Sequence, residues 1–368
     1  MNINFKIFSV LFFCLIFLSC NEKNKQTIIN GDIPNLPNGT LYLYMGSATN
    51  RIDSVATHNG KFTLIHKWEK DANEPVYLGI DHVDKIGVLR AFVHPTNAKN
   101  RGSGWYSSNF FSDSLITIKG SITDFNQISL KLSKKFKFVI SPKIKCGYQT
   151  KALYNIDADF FDPITIQTYS KVAKKIEKYP NSFHLLYEIA KRKNSFSTEQ
   201  IKNFLNLFRG DIVESESLKN LQAYNEKRIN KKKLSLPILL DNNGIKTKIL
   251  DDKFKKHLVV FWASWCSPCR QEIPLLKKMY EINKKNIEFV SISTDKNSSF
   301  WQKALAKEQM SWKQLIVNKN SKEHEILEIY FQLNQSIPYI VLVDNNMKVL
   351  KSHLGSMSEI EINNFIKD

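Results

Sequence analysis

The sequence has little cysteine and no long apolar segment beyond its N-terminus. Its 368 residues include five cysteines, too few for the disulfide framework that stabilises small secreted domains. No further pair of Cys or His residues has the spacing of zinc ligands, so the sequence predicts no metal site. Beyond the N-terminal segment there is no run of roughly eighteen apolar residues, the length that would predict a membrane-spanning helix.

Acidic residues are also in the minority. The chain has 53 Lys and Arg residues against 35 Asp and Glu residues, a formal net charge of +18. A basic surface can bind nucleic acid, but these lysines are scattered through all regions and no RNA- or DNA-binding motif accompanies them. We therefore predict no nucleic-acid partner. The charge is interpreted as a solvated basic surface that also favours anionic lipid headgroups.

The first twenty residues have the pattern of a secretory signal. Lys6 precedes an apolar run that ends at Leu18. Twelve residues of helix rise about 18 Å, less than the roughly 30 Å of a hydrocarbon core. Leu18-Ser19-Cys20 resembles the lipobox of bacterial lipoproteins, in which cleavage precedes a lipid-bearing cysteine. We predict a signal peptide at residues 1–19, lipidation at Cys20 and a lipid-anchored location in the cell envelope, facing the periplasm or in the outer membrane. Plain secretion is the alternative.

Residues 20–145 contain short candidate strands separated by turns. "RIDSVAT" and "KFTLIHK" flank Asn59-Gly60, a hairpin signal because both residues tolerate positive φ. The region is predicted to be an antiparallel β-sandwich-like domain, and it offers no recognisable active site.

Residues 146–233 change to helical periodicity. Apolar residues recur three and four positions apart, and Ser197 with Gln200 predicts a helix start. We expect a helical linker region between two domains.

Residues 234–368 alternate strand and helix patterns, which predicts an α/β domain whose mixed sheet carries helices on both faces. Within it, "VVFWASWCSPCRQEIP" contains Cys266 and Cys269. The predicted strand ends at Ala263 and a helix follows Cys266, where unpaired N–H groups and the helix dipole favour a thiolate. A thiolate of this kind attacks disulfides, and a second cysteine one turn later can displace the first.

The segment "FWASWCSPCRQEIP" resembles the active site of the thioredoxin superfamily, specifically its TlpA-like thiol-disulfide oxidoreductases of the bacterial envelope. The resemblance covers Leu234 to Asp368. It implies a thioredoxin-like fold, Cys266 as nucleophile, Cys269 as resolving thiol, and no cofactor other than a redox-active disulfide between them. Trp265 and Pro268 are expected to shape the rim of the substrate-binding surface and the start of the helix.

A second segment, "SIPYIVLVD", matches the same family. In that family the peptide bond that corresponds to Ile337-Pro338 is cis and faces the cysteines. Such a bond exposes the backbone of the residue before proline for pairing with a substrate. "RIDSVATHNGKFTL" also resembles an N-terminal domain of unassigned function that precedes such domains in envelope lipoproteins.

One position departs from thioredoxin itself. Six residues before the first cysteine, where thioredoxin has a buried Asp, this chain has Val260. Glu272 follows Cys269 by three residues and shares a helix face with it. It matches an acidic residue of some TlpA-like proteins and is predicted to be a general base toward Cys269. The alternative is an ordinary glutamate stabilised by the helix dipole.

The sequence thus predicts a thiol-disulfide oxidoreductase that exchanges disulfides with envelope proteins. Its expected partners are disulfide-containing or dithiol proteins, a membrane-linked electron donor and the membrane itself through the lipid anchor. Two alternatives remain open. One is a ligand-binding or sensing lipoprotein that uses the β-rich domain, with the thioredoxin-like domain as a platform. The other is a peroxidase of related fold, although no peroxidatic cysteine motif is visible.

Overall fold

The computed structural model describes residues 25–69, 72–125, 133–334 and 336–367. These divide into two compact units. The N-terminal unit comprises the described residues up to His94 together with Ser112–Gly147, and the C-terminal unit comprises Pro95–Phe111 and the described chain from Tyr148 onward. The predicted signal peptide and Cys20 lie outside the described residues. Among the described helices, none combines the length and apolar character needed to cross a membrane.

The first part of the chain is rich in strands, and the strand Leu89–Asn100 continues from the N-terminal into the C-terminal unit, which also contains the strands Ser103–Ser107 and Phe110–Phe111. The strands are β1 (Gln26–Asp32), β2 (Gly39–Met45), β3 (Arg51–Thr57), β4 (Lys61–Lys67), β5 (Tyr77–Asp84), β6 (Leu89–Asn100), β7 (Ser103–Ser107), β8 (Phe110–Phe111), β9 (Leu115–Lys119), β10 (Thr123–Asp124), β11 (Phe136–Ile140) and β12 (Ile144–Lys145).

Two sheets form the N-terminal unit, with strand orders β12-β9-β1-β4 and β10-β11-β6-β5-β2-β3 in the described chain. This confirms a β-rich region but corrects the prediction of a purely antiparallel one. Strand β1 pairs in parallel with β9, and β6 pairs in parallel with β11. Both parallel pairs join strands that are distant in sequence, and an alternating pattern carries no information on strand direction.

The Asn59-Gly60 turn has the expected positive φ angles of 49° and 73°. However, it does not join a simple hairpin. Strand β3 pairs with β2, while β4 pairs with β1 in the other sheet. A bridge between His58 and Lys61 closes the turn before the strands separate.

The C-terminal unit begins with helices. They are α1 (Tyr148–Leu153), α2 (Ile166–Lys178), α3 (Phe183–Lys191), α4 (Thr198–Leu205) and α5 (Glu216–Ile229), with short 3-10 turns at Lys193–Ser195, Asp211–Glu214 and Lys231–Lys233. Ser197 and Gln200 form the predicted start of α4, a capping box in which the Gln200 N–H donates to Ser197 Oγ at 3.1 Å.

These helices belong to the same unit as the α/β domain, and Asn194 is one of the residues that connect the two. Its Nδ2 donates to the carbonyl oxygens of Leu333 at 2.7 Å and Glu328 at 3.2 Å, and to Tyr224 Oη at 2.8 Å. The Asn194 side chain therefore satisfies backbone carbonyls close to the loop that leads to Pro338.

A mixed sheet and four helices follow α5 in the described chain. The strands are β13 (Ile238–Asp241), β14 (Lys246–Lys248), β15 (Lys256–Trp262), β16 (Ile287–Ser293), β17 (Lys313–Ile316), β18 (Tyr339–Asp344) and β19 (Val349–Leu354), and the helices are α6 (Ser267–Asn283), α7 (Ser298–Glu308), α8 (Lys322–Phe331) and α9 (Glu359–Lys367). The sheet order is β14-β13-β17-β16-β15-β18-β19, with β15 parallel to β16 and antiparallel to β18.

The central strand β15 is buried on both faces because its side chains alternate between two cores. Phe261 packs in the core that contains Leu327 of α8. Val260 packs in the other core, with Leu276 of α6 and Ile362 of α9. Each fully buried aliphatic or aromatic side chain of this kind contributes about 1.5–3 kcal/mol. This confirms the thioredoxin-like arrangement of helices on both faces, and it places the C-terminal end of β15 in the middle of the sheet.

Candidate active site

The two cysteines lie in the turn that joins β15 to α6. Cys266 is the N-cap residue of α6, and its N–H donates to the carbonyl of Ala263 at 3.0 Å. Cys266 and Cys269 form a disulfide, with their Cα atoms 5.3 Å apart. The N–H of Cys269 lies 3.3 Å from Cys266 Sγ and donates to it. The first sulfur therefore receives a backbone donor at a helix N-terminus, the environment that stabilises a thiolate once the disulfide is reduced.

Both cysteines are buried, and the residues beside them are not. Cys266 and Cys269 are 4% and 3% exposed and pack with Trp262 and Trp301. Trp265 is 68% exposed, and Pro268 is exposed in the first turn of α6, where its missing N–H costs no helical hydrogen bond. Trp265 and Pro268 thus form an open rim around a sulfur pair that is largely shielded from water.

The Ile337-Pro338 peptide bond is cis, as the resemblance implied. It precedes β18, the antiparallel neighbour of β15. The Ile337-Pro338 bond and the cysteine turn therefore lie at the same end of these two strands. The Ile337 side chain packs against the cluster that contains Cys266 and Cys269. The Pro338 carbonyl accepts a hydrogen bond from the N–H of Gly355 at 2.9 Å, which attaches this loop to the end of β19.

Glu272 is a buried carboxyl on α6, 4% exposed. Its Oε1 accepts a hydrogen bond from the N–H of Met357 at 2.8 Å, while Oε2 has no hydrogen-bond partner among the described residues. Burial raises the pKa of Glu272 above its ordinary value, and the Met357 donor opposes that change without cancelling it. A carboxyl that is more basic than usual and has one unengaged oxygen is chemically suited to exchange a proton.

Val260 has no part in proton transfer. Its side chain is 4% exposed and packs with Leu276 and Ile340 in an apolar core. The position that carries the acid in thioredoxin itself is therefore filled here by a packed aliphatic side chain.

Asp295 was missed by the sequence reasoning. It lies just after β16 and is 4% exposed. Its carboxylate accepts hydrogen bonds from the N–H of Ser264 at 2.8 Å and from Ser264 Oγ at 2.7 Å. A signal was present, since Asp295 follows the strand "IEFVSIS", and polar residues at the C-terminal ends of parallel strands often meet at one functional edge.

An open cleft of about 350 Å³ adjoins the cysteine turn. It is lined by Ser264, Trp265, Ser267, Arg270, Gln271 and Glu308. Arg270 Nε donates to Glu308 Oε1 at 2.7 Å across this cleft, joining α6 to α7.

In the described part of the chain, no cluster of three or more His, Cys, Asp or Glu side chains is arranged to hold a metal.

Comparison with known proteins places this geometry in a family. Residues 254–349 match the family model described as thioredoxin-like. The thiol-disulfide oxidoreductase ResA of Bacillus thuringiensis subsp. konkukian is 23% identical over 131 residues, which cover 35% of this chain and 72% of that protein. The thioredoxin-like protein YneN of Bacillus subtilis is 26% identical over 124 residues, covering 33% of this chain and 68% of that protein.

The C-terminal part of this chain is thus a TlpA-like domain of the thioredoxin superfamily. The TlpA-like protein is therefore an oxidoreductase, and Cys266 and Cys269 form a disulfide within its thioredoxin-like segment.

Solved structures with similar segments include two from Bacteroides. A thiol:disulfide interchange protein from Bacteroides sp. is 30% identical, and the match covers 36% of the TlpA-like protein and 86% of that chain, with a TM-score of 0.31. The thioredoxin domain of a thiol-disulfide oxidoreductase from Bacteroides vulgatus is 29% identical, with 35% and 92% covered and a TM-score of 0.31.

Proposed function

We propose that this TlpA-like protein exchanges disulfides with proteins of the cell envelope, with Cys266 as nucleophile and Cys269 as resolving thiol. The observation that carries the proposal is the disulfide at the N-cap of α6, bordered by an exposed rim. A purely structural disulfide would need neither a helix N-terminus nor an exposed rim.

The exchange begins from the reduced pair. The Cys266 thiolate attacks one sulfur of a substrate disulfide, so that a Cys266–substrate bond forms, the substrate S–S bond breaks, and one substrate thiolate leaves. Cys269 then loses its proton and attacks Cys266 Sγ, which releases the second substrate sulfur as a thiolate. Two electrons have passed from the cysteine pair to the substrate, and the two thiolates take up protons. The same steps run in reverse with a dithiol substrate.

Glu272 is proposed to accept the proton from Cys269. It follows Cys269 by three residues on α6, and burial makes it more basic than an exposed glutamate. Because Oε1 is occupied by the Met357 N–H, Oε2 is the atom that takes the proton.

Substrate docking is assigned to the residues around the sulfur pair. The backbone of Ile337, the residue before cis-Pro338, is the edge against which an extended substrate segment pairs, because the Pro338 carbonyl is already bonded to the N–H of Gly355. Trp265 and Pro268 supply the exposed rim, with the large aromatic surface of Trp265 available for apolar contact.

The envelope location rests on the N-terminal sequence. A lipid on Cys20 would anchor the protein to a membrane, where its substrates are disulfide-containing or dithiol proteins and where a membrane-linked donor would return electrons to the cysteine pair. The β-rich N-terminal unit has no assigned chemistry in this scheme.

The test is turnover of a model protein disulfide in the presence of a dithiol. The parent protein should accelerate reduction, and Cys266→Ser should lower the rate to that of the dithiol alone. Cys146→Ser is the matched control, since Cys146 lies outside the disulfide and should be dispensable. Full activity in Cys266→Ser would refute the proposal.

A further inference from the structure

Asp295 fixes the turn that carries Cys266. Strand β16 runs parallel to β15, with Ser293 beside Trp262 in register. Beyond that pair, Asp295 Oδ1 accepts from Ser264 Oγ at 2.7 Å, and Oδ2 accepts from the Ser264 N–H at 2.8 Å and from Ser293 Oγ at 2.7 Å. The N–H of Thr294 also donates to the Trp262 carbonyl at 2.9 Å. Both chain segments are therefore held together two residues before the nucleophile.

The same contacts indicate a buried negative charge. Three donors face the two oxygens of Asp295, which is the arrangement that a carboxylate requires. In the described part of the chain no Lys, Arg or His forms an ion pair with it, so its charge is stabilised by dipoles and is not cancelled by a cation. A charge held this way in a poorly solvated site acts strongly over short distances.

We propose that Asp295 is a positioning residue for Cys266, and that its charge disfavours a thiolate there and so biases the cysteine pair toward donating electrons. This inference rests on the proposed function. The sign follows from thiol–disulfide energetics: an environment that stabilises the reduced, thiolate form makes a strong oxidant, and one that destabilises it makes a stronger reductant.

Other charges near Cys266 act in both directions, so Asp295 must be changed alone. The N-terminus of α6 and Arg270 favour a thiolate. Glu272 and Glu308 oppose it, although Glu308 is paired with Arg270.

The experiment measures the pH dependence of Cys266 alkylation in the reduced, purified full-length protein with Cys269→Ser, using peptide-resolved mass spectrometry. Asp295→Asn keeps the size and an acceptor oxygen but removes the charge. It should lower the pKa of the Cys266 thiol by about one pH unit. With Cys269 intact, it should also shift the glutathione equilibrium toward the dithiol by several-fold, up to about tenfold, or about 30 mV.

Ser264→Ala provides the opposing variant. It leaves the Asp295 charge but removes one of its donors, so it should raise the pKa of the Cys266 thiol. If the two substitutions only loosened the turn, the pKa of the Cys266 thiol would move in the same direction in both variants. If Asp295→Asn does not fold, the Ser264→Ala result decides alone, and an unchanged pKa would overturn the inference.

Glu288→Gln is the matched control for loss of a buried carboxylate. Glu288 lies at the opposite end of β16, bonded to His257 Nδ1 at 2.7 Å. Glu288→Gln should lower the free energy of unfolding without changing the pKa of the Cys266 thiol. Equal shifts from Glu288→Gln and Asp295→Asn would overturn the inference. Alkylation of Cys266 needs no disulfide substrate, so it tests this inference separately from the proposed function. The proposed function would be refuted if the parent protein showed a titrating Cys266 thiol but exchanged no disulfides.

Discussion

Glu272 Oε1 accepts a hydrogen bond from the N–H of Met357 at 2.8 Å, a contact between residues 85 positions apart. It ties the active-site helix α6 to the segment between β19 and α9. Because that donor engages only one carboxylate oxygen, the other stays buried without a partner among the described residues. The side chain therefore combines a fixed orientation with an oxygen that is available for a proton.

Glu272→Gln should slow the second step of exchange and spare the first. The Cys266 thiolate is stabilised by the helix N-terminus, and loss of the Glu272 charge favours it further, so the first attack should not slow, while Cys269 loses its base. General-base assistance is typically worth about 100-fold to 10,000-fold, so a Cys266–substrate mixed disulfide should accumulate near neutral pH and clear as pH rises. Acid quench and mass spectrometry would detect it. Glu281→Gln, an exposed change on the same helix, is the control. Equal resolution rates for Glu272→Gln and parent across pH 6 to 8 would exclude the role.

The raised pKa of Glu272 also predicts a pH-dependent stability difference. Burial favours the neutral form, so the folded protein holds this proton more tightly than the unfolded chain does. As pH rises above the ordinary value of 4.5, the parent loses stability until the folded carboxyl has ionised. Gln cannot ionise and still offers an oxygen to the Met357 N–H. The free energy of unfolding of Glu272→Gln should therefore rise relative to that of the parent over the pH range in which the folded carboxyl ionises. Urea unfolding from pH 4 to 8 would measure it, and a difference independent of pH would contradict the prediction.

Cys20→Ala should release the protein from the membrane fraction. If the only anchor is a lipid on that cysteine, its removal leaves a chain held by weak attraction between basic residues and anionic headgroups, which salt screens. Fractionation followed by a salt wash would test this, with Cys146→Ser as the cysteine control. Retention of Cys20→Ala in the washed membranes would show that another element anchors the chain.

Asn194→Ala should destabilise the C-terminal unit without altering the cysteine chemistry. Asn194 is 8% exposed, and its loss leaves the buried Leu333 carbonyl and the buried Tyr224 hydroxyl without this partner, whereas the Glu328 carbonyl keeps the N–H of Leu333. Leaving such groups unpaired costs about 1–3 kcal/mol each, so we expect a loss of about 2–4 kcal/mol in denaturant unfolding. Asn220→Ala, an exposed change on α5, should stay within about 0.5 kcal/mol. A folded Asn194→Ala protein with a changed rate of Cys266 alkylation would show that the helices also influence the site.

The sequence alone determined the features that depend on neighbouring residues. The strand-to-helix junction puts Cys266 at an N-cap whatever the rest of the chain does, because apolar periodicity and the helix start are local properties. The start of α4 at Ser197 and the positive φ angles at Asn59 and Gly60 follow in the same way. The α/β pattern of the last domain was also readable, since alternating strands and helices leave few ways to bury their apolar faces.

Only the tertiary structure decided which distant segments meet. An alternating pattern does not state strand direction or partner, so the parallel pairs β1–β9 and β6–β11, and the separation of β3 and β4 into different sheets, could not be predicted. The same limit applies at the active site. Asp295 reaches Ser264 because β16 lies beside β15, and Glu272 reaches Met357 because the chain after β19 returns to α6. Hydrogen bonds at such separations exist only after packing has paid the entropy of bringing the segments together, so no local signal specifies them.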